Sequence, residues 1–179
     1  MYFTVDTRQQ ILIPKKEDSC KLDDAFTNIY DEGKFLGEWK DTSNSERNIE
    51  YTTDCNVGNE KWIKVELVNC SVFQFYNRIQ PETKIYDAIE FYLKSEGECI
   101  NCLSLKIDEN NSISISTNSA GIWKKNVIKL NDLGVTNKKF RKFLFQGKKE
   151  SQISYFDDIK LVKSEYIDNG EYSIKMMKR

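Results

Sequence analysis

Three pairs of adjacent carboxylates, Asp23-Asp24, Asp31-Glu32 and Asp157-Asp158, are the residues from which a glycoside hydrolase would be built in this chain. That reaction needs two carboxyls facing each other across a cleft, whereas neighbours along a strand point to opposite faces. Hydrolysis would therefore demand convergence of distant strands. Histidine is absent, which removes Ser-His-Asp and Cys-His nucleophile pairs and every metal site built on imidazole. No GxSxG or SxxK nucleophile motif occurs, nor a GxGxxG or GxxxxGK phosphate cradle. The residue types that remain point to binding rather than to bond-making.

Cys99-Ile-Asn-Cys102 has the spacing of a zinc knuckle or redox pair, but there is no second CxxC and no Pro, Gly or His between the two cysteines. With Cys20, Cys55 and Cys70 it reads instead as an extracellular disulfide framework, in which an odd total of 5 leaves one thiol over. Asn69-Cys-Ser71 and Asn110-Asn-Ser112 are N-glycosylation acceptor triplets. Together with the cysteines they lean towards a secreted protein.

Aromatic residues are more informative. A sugar ring has an apolar C–H face that stacks on Trp or Tyr, and hydroxyls that need amides, carboxylates or Arg. Along residues 72–78, Phe73 and Phe75 fall on one strand face and Gln74, Tyr76 and Arg78 on the other, giving a ring between two polar arms. The outer faces of residues 88–94 and 142–146 are expected to place Glu90, Tyr92 and Gln146 on the same sheet. Trp39, Trp62 and Trp123 read first as core or rim packing, with Trp39 as a further ring that can join the surface. The candidate binding set is thus Trp39, Tyr76 and Tyr92 for stacking, with Gln74, Arg78, Glu90 and Gln146 for hydroxyls.

The elements that must position these residues are strands. Ile89, Phe91 and Leu93 alternate with Ala88, Glu90, Tyr92 and Lys94; Leu103, Leu105 and Ile107 repeat the pattern, as do Ile113 and Ile115, then Phe143 and Phe145. This period of two marks half-buried strands. Further strands are expected at 26–30, 48–53, 61–67, 70–77, around Val127 and at 154–161, separated by turn-rich pieces such as 54–58 and 108–111. Short strands at such spacings, with no convincing helix, mean an all-β antiparallel β-sandwich of jelly-roll type. Residues 1–22 read as an arm or leading strand, 23–165 as the sandwich domain and 166–179 as a tail or extra strand.

The 179 residues are 39% hydrophobic and 31% charged, enough for one domain with a real core. With 27 basic against 28 acidic side chains, there is no basic footprint of the kind that holds nucleic acid through its phosphates. No apolar run reaches the roughly 18 residues of a bilayer span, and residues 1–6 do not open a signal peptide. Neither a nucleic acid nor a membrane is an expected partner.

The run Ile29-Tyr-Asp-Glu-Gly33 followed by Gly37-Glu-Trp-Lys-Asp-Thr-Ser43 resembles the opening of carbohydrate-binding modules with the galactose-binding-domain-like jelly roll. Ile85-Tyr-Asp-Ala-Ile-Glu-Phe-Tyr-Leu93, Trp123-Lys-Lys-Asn-Val-Ile-Lys-Leu130, Asp132-Leu-Gly134, Phe143-Leu-Phe-Gln-Gly147 and Tyr155-Phe-Asp-Asp-Ile-Lys-Leu161 follow in the family's order. The resemblance covers about residues 26–162. It implies a non-catalytic module that holds a plant-cell-wall-type polysaccharide, a β-glucan or mannan, on the concave sheet or at the loop end. It also implies a structural calcium ion at Asp31, Glu32 and Asp157, and a secreted parent of cellulosome type. A protein-recognition module receiving a docking domain on the same jelly roll is the alternative. Lysine-rich loops and Glu90 depart from what a neutral polysaccharide asks for.

Overall fold

Alternation of apolar and polar side chains is satisfied when one face of a strand is buried. The computed structural model, which describes residues 26–51, 61–117, 120–148 and 151–163, realises it in twelve strands. In the first half of the chain these are β1 (Phe26–Asp31), β2 (Lys34–Phe35), β3 (Trp39–Asp41), β4 (Glu46–Tyr51), β5 (Trp62–Leu67) and β6 (Val72–Asn77). In the second half they are β7 (Tyr86–Ser95), β8 (Cys99–Ile107), β9 (Ser112–Thr117), β10 (Lys124–Lys129), β11 (Lys142–Gly147) and β12 (Gln152–Lys163). One 3-10 turn, Thr83–Ile85, leads into β7. The arm and tail expected at 1–22 and 166–179 lie outside the described residues.

The strands form two sheets, and every pairing is antiparallel. A five-stranded sheet runs β3-β6-β11-β8-β9. A seven-stranded sheet runs β10-β7-β12-β1-β2, with β5 also on β12 and β4 beyond it. This is the expected antiparallel sandwich.

β12 organises the larger sheet. Along one edge it pairs with β7; along the other it pairs first with β5, over residues 152–156, and then with β1, over 159–162. The change of partner falls at a bulge between Asp157 and Lys160, where Asp158 takes φ +46°. A bulge adds a residue to one strand and bends it locally, which here lets one long strand serve two shorter ones.

The layer between the sheets is rich in phenylalanine. Phe73 and Phe75 from β6, Phe143 and Phe145 from β11, Phe91 from β7 and Phe156 from β12 are fully buried. Phe75 stacks on Phe143 at 4.5 Å, and Phe145 meets Phe156 at 4.5 Å and Phe91 at 4.9 Å, joining the two sheets. The period of two thus points β6 and β11 at the core with their phenylalanines and at solvent with Val72, Gln74, Tyr76, Lys142, Leu144 and Gln146.

Candidate functional site

The outer face of the five-stranded sheet collects most of the expected polar arms. In the β6–β11 register Lys142 stands opposite Tyr76, Leu144 opposite Gln74, and Gln146 opposite Val72. Strands lie about 4.8 Å apart, so Gln74 is a neighbour of Tyr76 along β6 and a diagonal neighbour of Gln146 on β11, with Tyr76 and Gln146 towards opposite ends of one half-exposed surface. β3 adds Lys40 beside Tyr76. β8 adds Ser104 and Lys106, opposite Gln146 and Leu144. β9 adds Ser112 and Ser114. Arg78 is exposed just beyond the end of β6.

The Trp39-Lys-Asp-Thr-Ser43 run holds the edge of this face in place. Trp39 is 5% exposed and packs on Phe143 at 5.4 Å and Phe140 at 6.1 Å. Asp41 accepts from the backbone N–H of Ser43 at 2.9 Å and from Arg47. The Gln74 backbone N–H donates to Ser43 Oγ at 2.8 Å, and Thr42 N–H donates to the Gln74 carbonyl at 2.9 Å. The Gln74 amide donates to Thr42 Oγ1 at 2.8 Å. The motif therefore fastens β3 to β6, and Trp39 offers no open ring: the expectation that it could join the surface is corrected by its burial.

Tyr92 and Glu90 are a second correction. They lie on β7 in the seven-stranded sheet, so they share no face with Gln146 on β11 in the other sheet. Tyr92 is half-buried on the opposite outer surface. Glu90 is 1% exposed and receives the ammoniums of Lys125 at 2.9 Å and Lys160 at 3.4 Å, so it is not presented to a ligand hydroxyl.

Asp31, Glu32, Asp157 and Asp158 lie near enough for their charges to act on one another. The Tyr30-Asp-Glu-Gly33 run is a two-residue hairpin between β1 and β2, with φ +47° at Glu32 and +83° at Gly33, the double positive φ of a type I′ turn. It sets Asp31 at the end of β1, where β12 changes partner. Burial pushes the Asp157 carboxyl up to about 6, with the charges of Asp158, Asp31 and Glu32 adding to it and the Asp158 backbone N–H opposing it. Asp31 is raised as well, by burial first and then by Asp158 and Glu32. Lys160 Nζ lies 2.9 Å from Asp158 Oδ2. Burial pulls the Lys160 ammonium's pKa down, but Asp158 and Glu90 outweigh it and hold the value above the usual. Among the described residues no three His, Cys, Asp or Glu side chains are grouped as a ready-made metal cage. A small pocket elsewhere, lined by Glu82, Lys84, Asn137, Lys138 and Lys139, shares no residue with these carboxylates.

No protein-family model matches the sequence, and no curated protein matches it. Solved structures do match in fold. A variant of a family 29 carbohydrate-binding module superposes with a TM-score of 0.54 at 7% identity, covering 76% of this chain and 89% of that one. A family 29 variant complexed with mannohexaose gives 0.54 at 8% identity, with the same coverage. Another, complexed with cellulohexaose, gives 0.53 at 7% over 76% and 89%. The chain has the fold of a carbohydrate-binding module.

On that module fold, one grouping went unread in the sequence. Lys94, on β7, places its ammonium 5.3 Å from the ring centre of Trp62, 5.0 Å from Trp123 and 4.5 Å from Tyr155. Trp62 and Trp123 meet edge to face at 5.9 Å. A cation over aromatic faces is attracted by their quadrupoles, so this cluster is closed by the protein's own charge. Burial lowers the Lys94 pKa, against the pull of Glu96. The signal was available: Lys94 is two residues from Tyr92 on the same face, and Trp123 directly precedes β10, whose Lys124 pairs with Leu93. Among the cysteines whose side chains are described, Cys70 is a free, exposed thiol and Cys102 is disulfide-bonded.

Proposed function

We propose that the chain is a non-catalytic, extracellular carbohydrate-binding module that holds a plant-cell-wall-type polysaccharide, a β-glucan or mannan, on the outer face of its five-stranded sheet. One observation carries this: Tyr76 stands half-exposed on the outer face of β6 between Gln74 and Arg78, with Gln146 further along the same face on β11, a ring flanked by polar arms. The ring supplies a stacking face, and the amides supply directional donors and acceptors. Arg78 lengthens the polar arm at one end. The mannohexaose and cellulohexaose complexes among similarly folded modules support a saccharide as the ligand class. No bond is broken in this reading. The converging carboxylates sit where β1 ends along β12, in the seven-stranded sheet, and not on the face that bears Tyr76. Tethered to a catalytic partner, such a module raises local concentration on an insoluble substrate even with weak binding.

Affinity gel electrophoresis in mannan and β-glucan tests the assignment. Tyr76→Ala should weaken retention roughly tenfold with an unchanged melting temperature, the scale expected for loss of one aromatic stack. Tyr92→Ala, on the other sheet, should be retained like the parent. Equal retention of parent and Tyr76→Ala would overturn the site. Capture of a docking domain without glycan retention would transfer the reading to protein recognition.

The reading includes a structural calcium ion at Asp31, Glu32 and Asp157. Calcium takes hard oxygen ligands, and the crowded carboxylates supply them, while Lys160 already offsets part of their charge. Calcium added to chelator-treated protein should raise the melting temperature by several degrees, as any ligand of the native state does. An unchanged melting temperature would leave Lys160 as the cation of the cluster.

A further inference from the structure

We propose that the preferred ligand of the five-stranded face is an anionic polysaccharide, whose carboxylates are taken up by Lys106 and Lys142. The inference rests on the saccharide-binding reading above and departs from it in one respect: a charged polysaccharide is preferred on that face over the neutral β-glucan or mannan.

The whole chain is nearly neutral, with net charge −1, but its charges are not evenly spread. Among the residues whose side chains are described, the outward positions of β3, β6, β11, β8 and β9 carry Lys40, Lys142 and Lys106 and no Asp or Glu; the remainder that reach solvent are Val72, Gln74, Tyr76, Leu144, Gln146, Ser112, Ser114 and Ser116, while Ser104 and Cys102 are buried. Just past β11, Lys148 extends over the same face and donates to Ser114 Oγ at 2.7 Å. Tyr76 stands between Lys40 and Lys142 in register. A ring stacked on Tyr76 would therefore have an ammonium on either side and hydroxyls and amides beyond.

A neutral glycan gives these lysines nothing to pair with. A carboxylate does, and the structure contains one in the required position. Glu109, in the turn between β8 and β9, sets its Oε2 at 3.2 Å from Lys106 Nζ and its Oε1 at 3.3 Å from Lys142 Nζ. Hydrogen bonds from the two ammoniums hold its pKa below the usual range. Its side chain is 81% exposed, so the bridge is a solvated one that another carboxylate can displace. The two ammoniums are thus spaced to share a single carboxylate, and Glu109 occupies the place a uronate would take. Each exposed pair is weak on its own, but a polymer presents its carboxylates repeatedly, and the attraction is screened by salt.

Isothermal titration and affinity electrophoresis against polygalacturonate, its neutral methyl ester, mannan and a sulfated galactan test this. Polygalacturonate should bind about tenfold more tightly than its ester, with the difference shrinking at high salt. Lys106→Gln with Lys142→Gln should abolish the difference without changing the melting temperature. Glu109→Gln, which removes the competing carboxylate, should raise affinity for polygalacturonate several-fold. Equal binding of acid and ester would overturn the inference and leave the saccharide reading standing; binding to none of the four, nor to β-glucan, would overturn both. A preference that survives in the double lysine variant, or one for sulfate over uronate, would overturn the assignment to this lysine pair and to carboxylates.

Discussion

Asp157 holds its proton late. Its folded carboxyl titrates at about 6 against an ordinary value of 3.8, so the folded state binds a proton that the unfolded chain has released. Its contribution to stability is fully present below pH 3.8 and is lost as pH rises through about 6. In chelator-treated protein, Asp157→Asn should remove this dependence and raise stability at pH 7 by about 1–2 kcal/mol, a figure discounted for solvent screening. Denaturant melts between pH 4 and 7 read it; identical slopes for parent and variant would refute the assignment. At this scale Tyr76 and Gln74 were legible, because alternation along one strand tells which side chains look outward. Glu90 was not. The same alternation points it outward, but the lysines of two neighbouring strands close over it.

Gly147 decides how β11 ends. Its backbone exchanges hydrogen bonds with the connection from β5 to β6: Cys70 N–H donates to the Gly147 carbonyl and Gly147 N–H donates to the Ser71 carbonyl, each at 3.1 Å. A Cβ at this position would stand 2.3 Å from the Val68 carbonyl oxygen. Gly147→Ala should therefore lower the melting temperature by about 5–10 °C, the cost of forcing a backbone crossing apart. Gly97→Ala, where a Cβ meets nothing within 4 Å, is the control. Equal melting of the two variants would show that the crossing is soft. The paired phenylalanines of β6 and β11 were readable as elements because they repeat every second residue. The two-residue β2 and three-residue β3 were not, since neither is long enough to show a period.

For the molecule as a whole, the sandwich was legible and the allocation of strands to its layers was not. A period of two says which face of a strand is buried; it is silent on which of two sheets the strand joins. β7 and β11 carry the same kind of pattern, and their phenylalanines meet across the core, yet their outer residues look away from each other. That is why Tyr92 and Gln146 could be read as neighbours and are not. The three-sided position of β12 has another result. It is made after every other described strand, and β7, β5 and β1 all lean on it. While a ribosome is still translating the preceding residues, those three edges stay unzipped. Such long-range closure is slow, and the nascent polypeptide must be shielded from neighbours until that twelve-residue segment arrives.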